Sequence, residues 1–290
     1  MGSKTKIDWA DATWNPVTGC EHGCPYCYAR GIAERFGTNW LPDENPDTYK
    51  CVLDGTETHA IIEFDGMQAR ERKDGKIVPA PYPLGFTPTL HRYRLDEPRH
   101  WKKPRTIFVC SMADLFGDWV PDGWIREVFE ACEAAPQHRY IFLTKNPARL
   151  CKMASACRLE QWNKKHDRPH PRTKEFAGTM PLPMHDNWWF GSTLDNANAT
   201  RFDGRFRWNT FTNIEPLMEY MNVGLGSFGG DKWVIIGAET GNRKGKVIPK
   251  REWVENILNA ARITRMKVFM KESLRDLMGD DFRQEFPWEV

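Results

Sequence analysis

Short apolar runs rich in β-branched and aromatic residues recur along the chain. Each is closed by polar turn residues, and helical patterns lie between them. The clearest are RTIFVCSM (105–112), RYIFLTKN (139–146), NWWFGSTLDN (187–196), NTFTNIEP (209–216), KWVIIGAETG (232–241) and MKVFMKES (266–273). ATWNPVTG (12–19) and GFTPTLH (85–91) extend the series more weakly. Helix signals fall at 121–135, which opens on Pro-Asp and spaces Ile125, Val128, Phe129 and Cys132 on one face, and at 250–263. Strands that are apolar throughout and alternate with helices specify a parallel sheet covered by helices. The expected fold is therefore α/β. It is a partial to near-complete (β/α) barrel, TIM-barrel-like, of six to eight parallel strands in a single domain over 1–290.

Two segments break the rhythm and read as insertions. Residues 37–85 are rich in Asp, Gly and Pro and read as a small hairpin lying across the barrel. Residues 147–186 are basic and carry His166, His170 and His185. Loops of such length in a compact domain are usually functional or disordered, so either is a lid or a substrate-recognition element.

In parallel barrels chemistry sits at the C-terminal ends of the strands. Those ends are polar here: Ser111 and Asp114, Thr144 and Lys145, Ser192, Asp195 and Asn196, Asn213 and Glu215, Glu239 and Thr240, Lys271 and Glu272. A loop meeting water explains one or two such ends; repetition across six favours a polar cavity. Glu215 and Glu239 are the carboxylates placed for binding or proton transfer.

No apolar run approaches the ~20 residues that span a bilayer, and the N-terminus lacks a secretory signal. A cytoplasmic chain with no membrane partner is expected. Net charge is only +2, but cations gather at 92–105, 164–174 and 243–251. Such runs are either solvated surface or, laced with Tyr93, Trp101 and histidines, a phosphate-tracking surface with stacking groups.

Three of the eight cysteines lie in GCEHGCPYCYAR (19–30), where Cys20, Cys24 and Cys27 have the spacing C-x3-C-x2-C. Structural zinc wants four ligands, and only His22 or the distant Cys51 offers a fourth. A cubane iron–sulfur cluster ordinarily takes four thiolates as well. Three would leave one iron open to a chelating ligand such as S-adenosylmethionine. Gly23 and Pro25 allow and fix the turns a short loop needs. The remaining cysteines are scattered and read as reduced thiols.

CEHGCPYC, with an aromatic before the last cysteine and following the first candidate strand, resembles the signature of the radical S-adenosylmethionine superfamily. A narrower resemblance covers nearly the whole chain. TWNPVTGCEHGCPYCYA, FVCSMADLF, FLTKNPARL, NIEPL, WVIIGAETG and VFMKESL…DDFRQEFP resemble the blocks of a phage- and bacterium-borne family of that superfamily, distantly related to spore photoproduct lyase. Cys110 stands where Asn is more usual there, and Ala238 where Gly is. The resemblance implies that Cys20, Cys24 and Cys27 ligate a [4Fe-4S] cluster and that Tyr26 sits against the adenine of S-adenosylmethionine. By strand position it implies Ser111 and Asp114 on the methionyl amino group, Lys145 on its carboxylate, and Ser192, Asp195 and Asn196 on the ribose, unless the last three simply cap a helix. Cys110 is either a small buried hydrophobe or a thiol that returns a hydrogen atom to a product radical.

The implied activity is reductive cleavage of S-adenosylmethionine to a 5′-deoxyadenosyl radical that abstracts hydrogen from substrate, with an electron donor of flavodoxin or ferredoxin type. The substrate expected is a modified, thymine-type base in phage DNA, undergoing an isomerase- or lyase-type rearrangement. The alternatives are radical modification of a peptide or protein partner, and a non-enzymatic, zinc-stabilised nucleic-acid-binding protein.

Overall fold

The apolar runs pair in parallel, as their composition predicts. The computed structural model describes residues 5–37, 50–53, 60–64, 66–67, 69–71, 74–196, 198–204, 207–223, 228–241 and 243–289. In chain order the strands are β1 (Ala12–Trp14), β2 (Val17–Thr18), β3 (Lys50–Leu53), β4 (Ala60–Phe64), β5 (Ala69–Glu71), β6 (Ile77–Pro79), β7 (Thr89–His91) and β8 (Thr106–Val109). They continue with β9 (Arg139–Thr144), β10 (Trp188–Thr193), β11 (Asn209–Ile214), β12 (Trp233–Ile236) and β13 (Lys267–Met270). The main helices are α1 (Tyr28–Phe36), α2 (Asp122–Glu133), α3 (Pro147–His166) and α4 (Arg251–Thr264). The largest sheet has seven strands in the order β1-β8-β9-β10-β11-β12-β13. That strand number falls within the six to eight expected. Among the described residues, no helix is long and apolar enough to cross a membrane.

The chain forms two compact units, Met1–Thr5 with Ala10–Tyr140, and Lys6–Trp9 with Ile141–Val290. In the first, β1 and β8 pair in parallel with Trp14 opposite Val109. A second sheet of order β2-β7-β4-β3 lies in the same unit, and β5 pairs antiparallel with β6. GFTPTLH therefore supplies a strand to this small sheet, not to the seven-stranded one, and AIIEF is its parallel neighbour. Much of the 37–85 segment, including 38–49 and 54–59, lies outside the described residues. The small sheet is tied to α2 by one buried carboxylate. Glu63 accepts from the Trp124 indole at 2.7 Å and from Arg92 at 2.6 Å, while Arg92 also reaches Glu127 at 2.9 Å. A buried charge is tolerated when it is paired and hydrogen-bonded like this. The first arginines of the basic run at 92–105 are thus turned to structural use: Arg94 likewise donates to the carbonyls of Asn15 and Pro81.

In the second unit β10, β11, β12 and β13 pair in parallel, with Trp233 opposite Phe211 and Lys267. At this N-terminal strand edge Trp233, fully buried, is ringed by Trp9, Trp189, Phe211, Phe269, Phe286 and Trp288 at centroid distances of 5.3–6.4 Å. Gly191 makes room for this packing, since a Cβ there would stand 2.2 Å from the Phe211 ring. The other face of this sheet region packs Ile214, Val234, Ile236, Val268 and Met270 against Val254, Ile257 and Ala261 of α4. The start of the 147–186 segment is not a loop: it is the twenty-residue helix α3.

Replacing Trp233 by Ala removes the hub of the aromatic ring and leaves a cavity. It should cost about 3–5 kcal/mol of unfolding free energy, read as a lowered urea midpoint by tryptophan-independent circular dichroism.

Candidate functional site

The three-cysteine loop leaves the small sheet directly after β2 and ends at α1. Its first residue, Gly19, has φ +88°, and a Cβ there would lie 2.3 Å from the Thr87 carbonyl oxygen. Only glycine fits that conformation and that approach. The Gly19 N–H donates to the Met112 carbonyl at 2.9 Å, and the Cys20 N–H to the Phe86 carbonyl at 3.3 Å. Further on, the Cys27 N–H donates to the Cys24 carbonyl at 3.1 Å, which turns the chain into α1. Cys27 is the N-cap of that helix, its Sγ accepting the Arg30 N–H at 3.4 Å. Arg30 closes the loop on itself, donating to the Cys20 carbonyl at 3.3 Å with its guanidinium 4.9 Å above the Phe86 ring.

Cys20 and Cys27 pack against an apolar wall of Ala29, Ala33, Phe86 and Met112. Cys24 and Tyr26 are half-buried. The Cys20 thiol is pushed up to about 12, first by burial and then by the charges of Asp114, Cys24 and Cys27, against the opposing His22 backbone N–H. Cys20 therefore lies within electrostatic reach of the other two thiols. The three are not closed around a common point: among the described residues no group of three or more His, Cys, Asp or Glu side chains is arranged as a metal site. By donor chemistry the set fits a thiophilic metal centre. A cation among these thiols would offset the repulsion and the burial that keep Cys20 protonated.

His22, one of the two positions offered as a fourth ligand, is engaged elsewhere. Its Nε2 meets Asp114 Oδ2 at 2.7 Å and its ring lies edge-on to Trp119 at 4.8 Å. Asp114 Oδ1 also accepts the Phe116 N–H at 3.0 Å, so both carboxylate oxygens are in use. Ser111 donates from its hydroxyl to Asn15 Oδ1 at 3.1 Å, and its carbonyl accepts the Tyr28 hydroxyl at 2.8 Å. Asn15 also takes the Met112 N–H at 2.9 Å. Sequence reasoning passed over Asn15, whose signal is a polar amide directly after β1. Cys110 follows β8 with φ +58° and is buried; burial pushes its thiol up to about 12. Buried Cys132 of α2 lies within its electrostatic reach.

The second unit carries the other nominated residues at the C-terminal ends of its strands, as acid–base pairs. Lys145 after β9 pairs with Asp195 after β10, and the Asn196 amide donates to the same carboxylate at 2.8 Å. Glu215 after β11 pairs with Lys271 after β13 at 3.1 Å. Gly237, after β12, leaves the space between them: a Cβ there would stand 2.8 Å from Lys271 Cγ and 3.1 Å from Glu215 Cγ. Arg243 binds Glu239 and holds its carboxyl below the usual carboxylate range. Ser192 is buried within β10, its Oγ accepting the Phe202 N–H at 2.7 Å, so its hydroxyl serves the loop that follows. Lys271 and Gly237 complete the Glu215 group; the sequence showed Lys271 as a polar strand end without its partner.

Residues 4–275 match the family described as protein of unknown function (DUF5131), and the chain belongs to that family. No curated protein and no solved structure matches it.

Because the charged form of Cys20 is disfavoured, its thiolate fraction in metal-free protein at pH 8 should be about one part in ten thousand. Iodoacetamide labelling of Cys20, followed by peptide mass spectrometry, should accelerate about tenfold per pH unit from pH 8 to 11. A rate that levels off near pH 9 contradicts the buried setting.

Proposed function

We propose that the protein is a radical S-adenosylmethionine enzyme acting on a nucleic-acid base, and that its seven-stranded sheet is the partial barrel of that superfamily. The observation that carries this reading is the loop itself: three thiols in C-x3-C-x2-C spacing, two of them within electrostatic reach of Cys20, placed between β2 and the start of α1. Cys20, Cys24 and Cys27 would hold a [4Fe-4S] cluster, and that group would supply one-electron reduction for reductive cleavage of S-adenosylmethionine, its electron coming from a flavodoxin- or ferredoxin-type donor.

The chain's own residues have distinct parts in this. The His22 and Arg30 backbone N–H groups donate to the sulfurs of Cys20 and Cys27. Such donors favour the thiolate form. Phe86, Met112, Ala29 and Ala33 exclude water from one side of those two sulfurs. Asp114 orients His22, and with it the turn between Cys20 and Cys24. Tyr26, in that loop, is the residue assigned to the adenine, and Ser111 to the methionyl end. In the second unit Asp195, with Asn196 and Lys145, offers acceptor oxygens suited to vicinal hydroxyls. Glu215, with Lys271, is the carboxylate assigned to proton movement at the base, since Glu239 is committed to Arg243 and the Val247 N–H. Cys110 is assigned hydrogen-atom return to the product.

Anaerobic purification tests this directly. The wild-type protein should be brown, bind about four iron per chain, and form 5′-deoxyadenosine when reduced with S-adenosylmethionine. Cys24→Ala should lose both the iron and the nucleoside while keeping the wild-type circular dichroism spectrum. A colourless zinc protein that forms no nucleoside supports the zinc-stabilised module instead. Product nucleosides from treated phage DNA, resolved by mass spectrometry, separate base from peptide chemistry.

A further inference from the structure

The three basic runs differ in what supports their cations. In 92–105, Arg92, Arg94 and Arg99 are spent on Glu63, Glu127, backbone carbonyls and Asp96, while Lys102 and Lys103 are exposed with no ion pair among the described residues. In 243–251, Arg243, Lys250 and Arg251 face Glu239, Glu252, Glu255 and Asp281, Lys246 donates to the Gly241 carbonyl, and Lys244 is exposed with no ion pair among the described residues. The run at 164–174 differs in the segment that carries it. Lys164 and Arg172 pair with Glu160 and Glu175. Lys165, Arg168 and Lys174 have no ion-pair partner among the described residues, and all three are exposed.

These cations stand on an arm that has no core of its own. The buried residues of α3 end at Cys157, and none is buried again until Leu182. The last nine residues of α3, about 13 Å of helix, and the 3-10 turn Pro171–Phe176 that returns along it contain no buried residue, and Leu159, Trp162 and Phe176 are only half-buried. Polar and ring contacts hold the arm instead. Asn163 Oδ1 accepts the His170 N–H at 2.6 Å, and the Asn163 amide donates to Thr173 at 3.2 Å. His166 stacks on Trp162 at 4.0 Å, His170 meets its edge at 4.8 Å, and Arg168 sits 5.6 Å over the same ring. Ordering some twenty residues with so little apolar burial is entropically costly. Between 158 and 181 six Lys and Arg stand against three acids, Glu160, Asp167 and Glu175, two of which are paired within the arm. Two of the cations belong to the last turn of α3 and complement its dipole. Arg168 and Lys174 lie beyond that turn and have no such use.

We infer that this arm is a docking surface for the sugar–phosphate backbone of a nucleic acid, contacted by Lys165, Arg168 and Lys174. The Trp162 ring is covered by His166 and Arg168, so the arm reads phosphate charge and not a stacked base. The inference deepens the nucleic-acid part of the proposed function and rests on it for the identity of the partner. It does not depend on the cysteine loop, because binding is measured without S-adenosylmethionine.

The test is fluorescence anisotropy of full-length protein with labelled single-stranded DNA, duplex DNA and RNA of one sequence, across a salt series. The triple variant K165A/R168A/K174A should bind at least about tenfold more weakly, and its plot of log affinity against log salt should be shallower by about two to three. Whichever probe shows the difference names the nucleic acid. Protection of Lys165 and Lys174 from acetylation by bound probe gives a second readout on wild-type protein. Equal binding by both proteins overturns the inference, as does absence of binding to every probe at low salt, or retention on anionic vesicles alone. Wild-type formation of 5′-deoxyadenosine with unchanged binding by the variant discards the arm and keeps the enzyme. Arm-dependent binding without iron or nucleoside does the reverse.

Discussion

The close approach of the backbone at Gly19 governs the first unit. Its missing side chain lets the chain pass against Thr87 while its N–H reaches Met112, so one residue joins the segment after β2 to those before β7 and after β8. Everything about the cysteine loop follows from that junction. Cys20 is delivered against Phe86 and Met112, which buries its sulfur, and burial is the first cause of its high proton affinity. The far end of the loop is fixed separately, by the N-cap that Cys27 makes with Arg30. Cys24, between the two anchors, has fewer constraints. The thiols are thus gathered by backbone geometry, without a converged set of side chains.

The second unit solves a different electrostatic problem. Charged groups at strand ends would be costly in a sheet this apolar if they stood alone, and each is matched by a group from another strand end or a nearby turn. Gly237 shows how closely the backbone is adapted to one such match, since any side chain there would displace Lys271 from Glu215. Pairs of this kind are partly exposed, so they contribute little to stability. Their value lies in presenting acids and bases in fixed positions. The opposite edge of the same strands is sealed by aromatic rings around Trp233, which leaves polar chemistry to one edge only.

Much of this was legible in the residues. Six of the apolar runs became strands of the seven-stranded sheet because burial on both faces demands uninterrupted hydrophobic sequence. The helices at 122–133 and 251–264 followed their spacing closely. What the sequence concealed was pairing between distant positions. ATWNPVTG divides into β1 and β2 in two different sheets, which local pattern cannot reveal. α3 has almost no one-sided apolar pattern, because only its first half touches the core, so its helical nature was hidden behind its charge. The engagement of His22 with Asp114, ninety-two residues away, and the service of Ser192 to a backbone N–H are likewise tertiary facts. Basic runs looked alike as strings, and only burial and pairing told the internal arginines from the solvent-facing arm.

The tethers of the cysteine loop have a consequence for how the protein is made. Gly19, Cys20, His22 and Asn15 are held by Phe86, Thr87, Met112 and Asp114, so a ribosome must have released more than a hundred residues before the loop acquires its shape. Until then the motif is an unstructured peptide with three ordinary thiols, open to oxidation or to the wrong metal. Maturation of the loop is therefore bound to completion of the first unit during synthesis, and a chain stalled short of β8 would carry the whole motif without the means to arrange it.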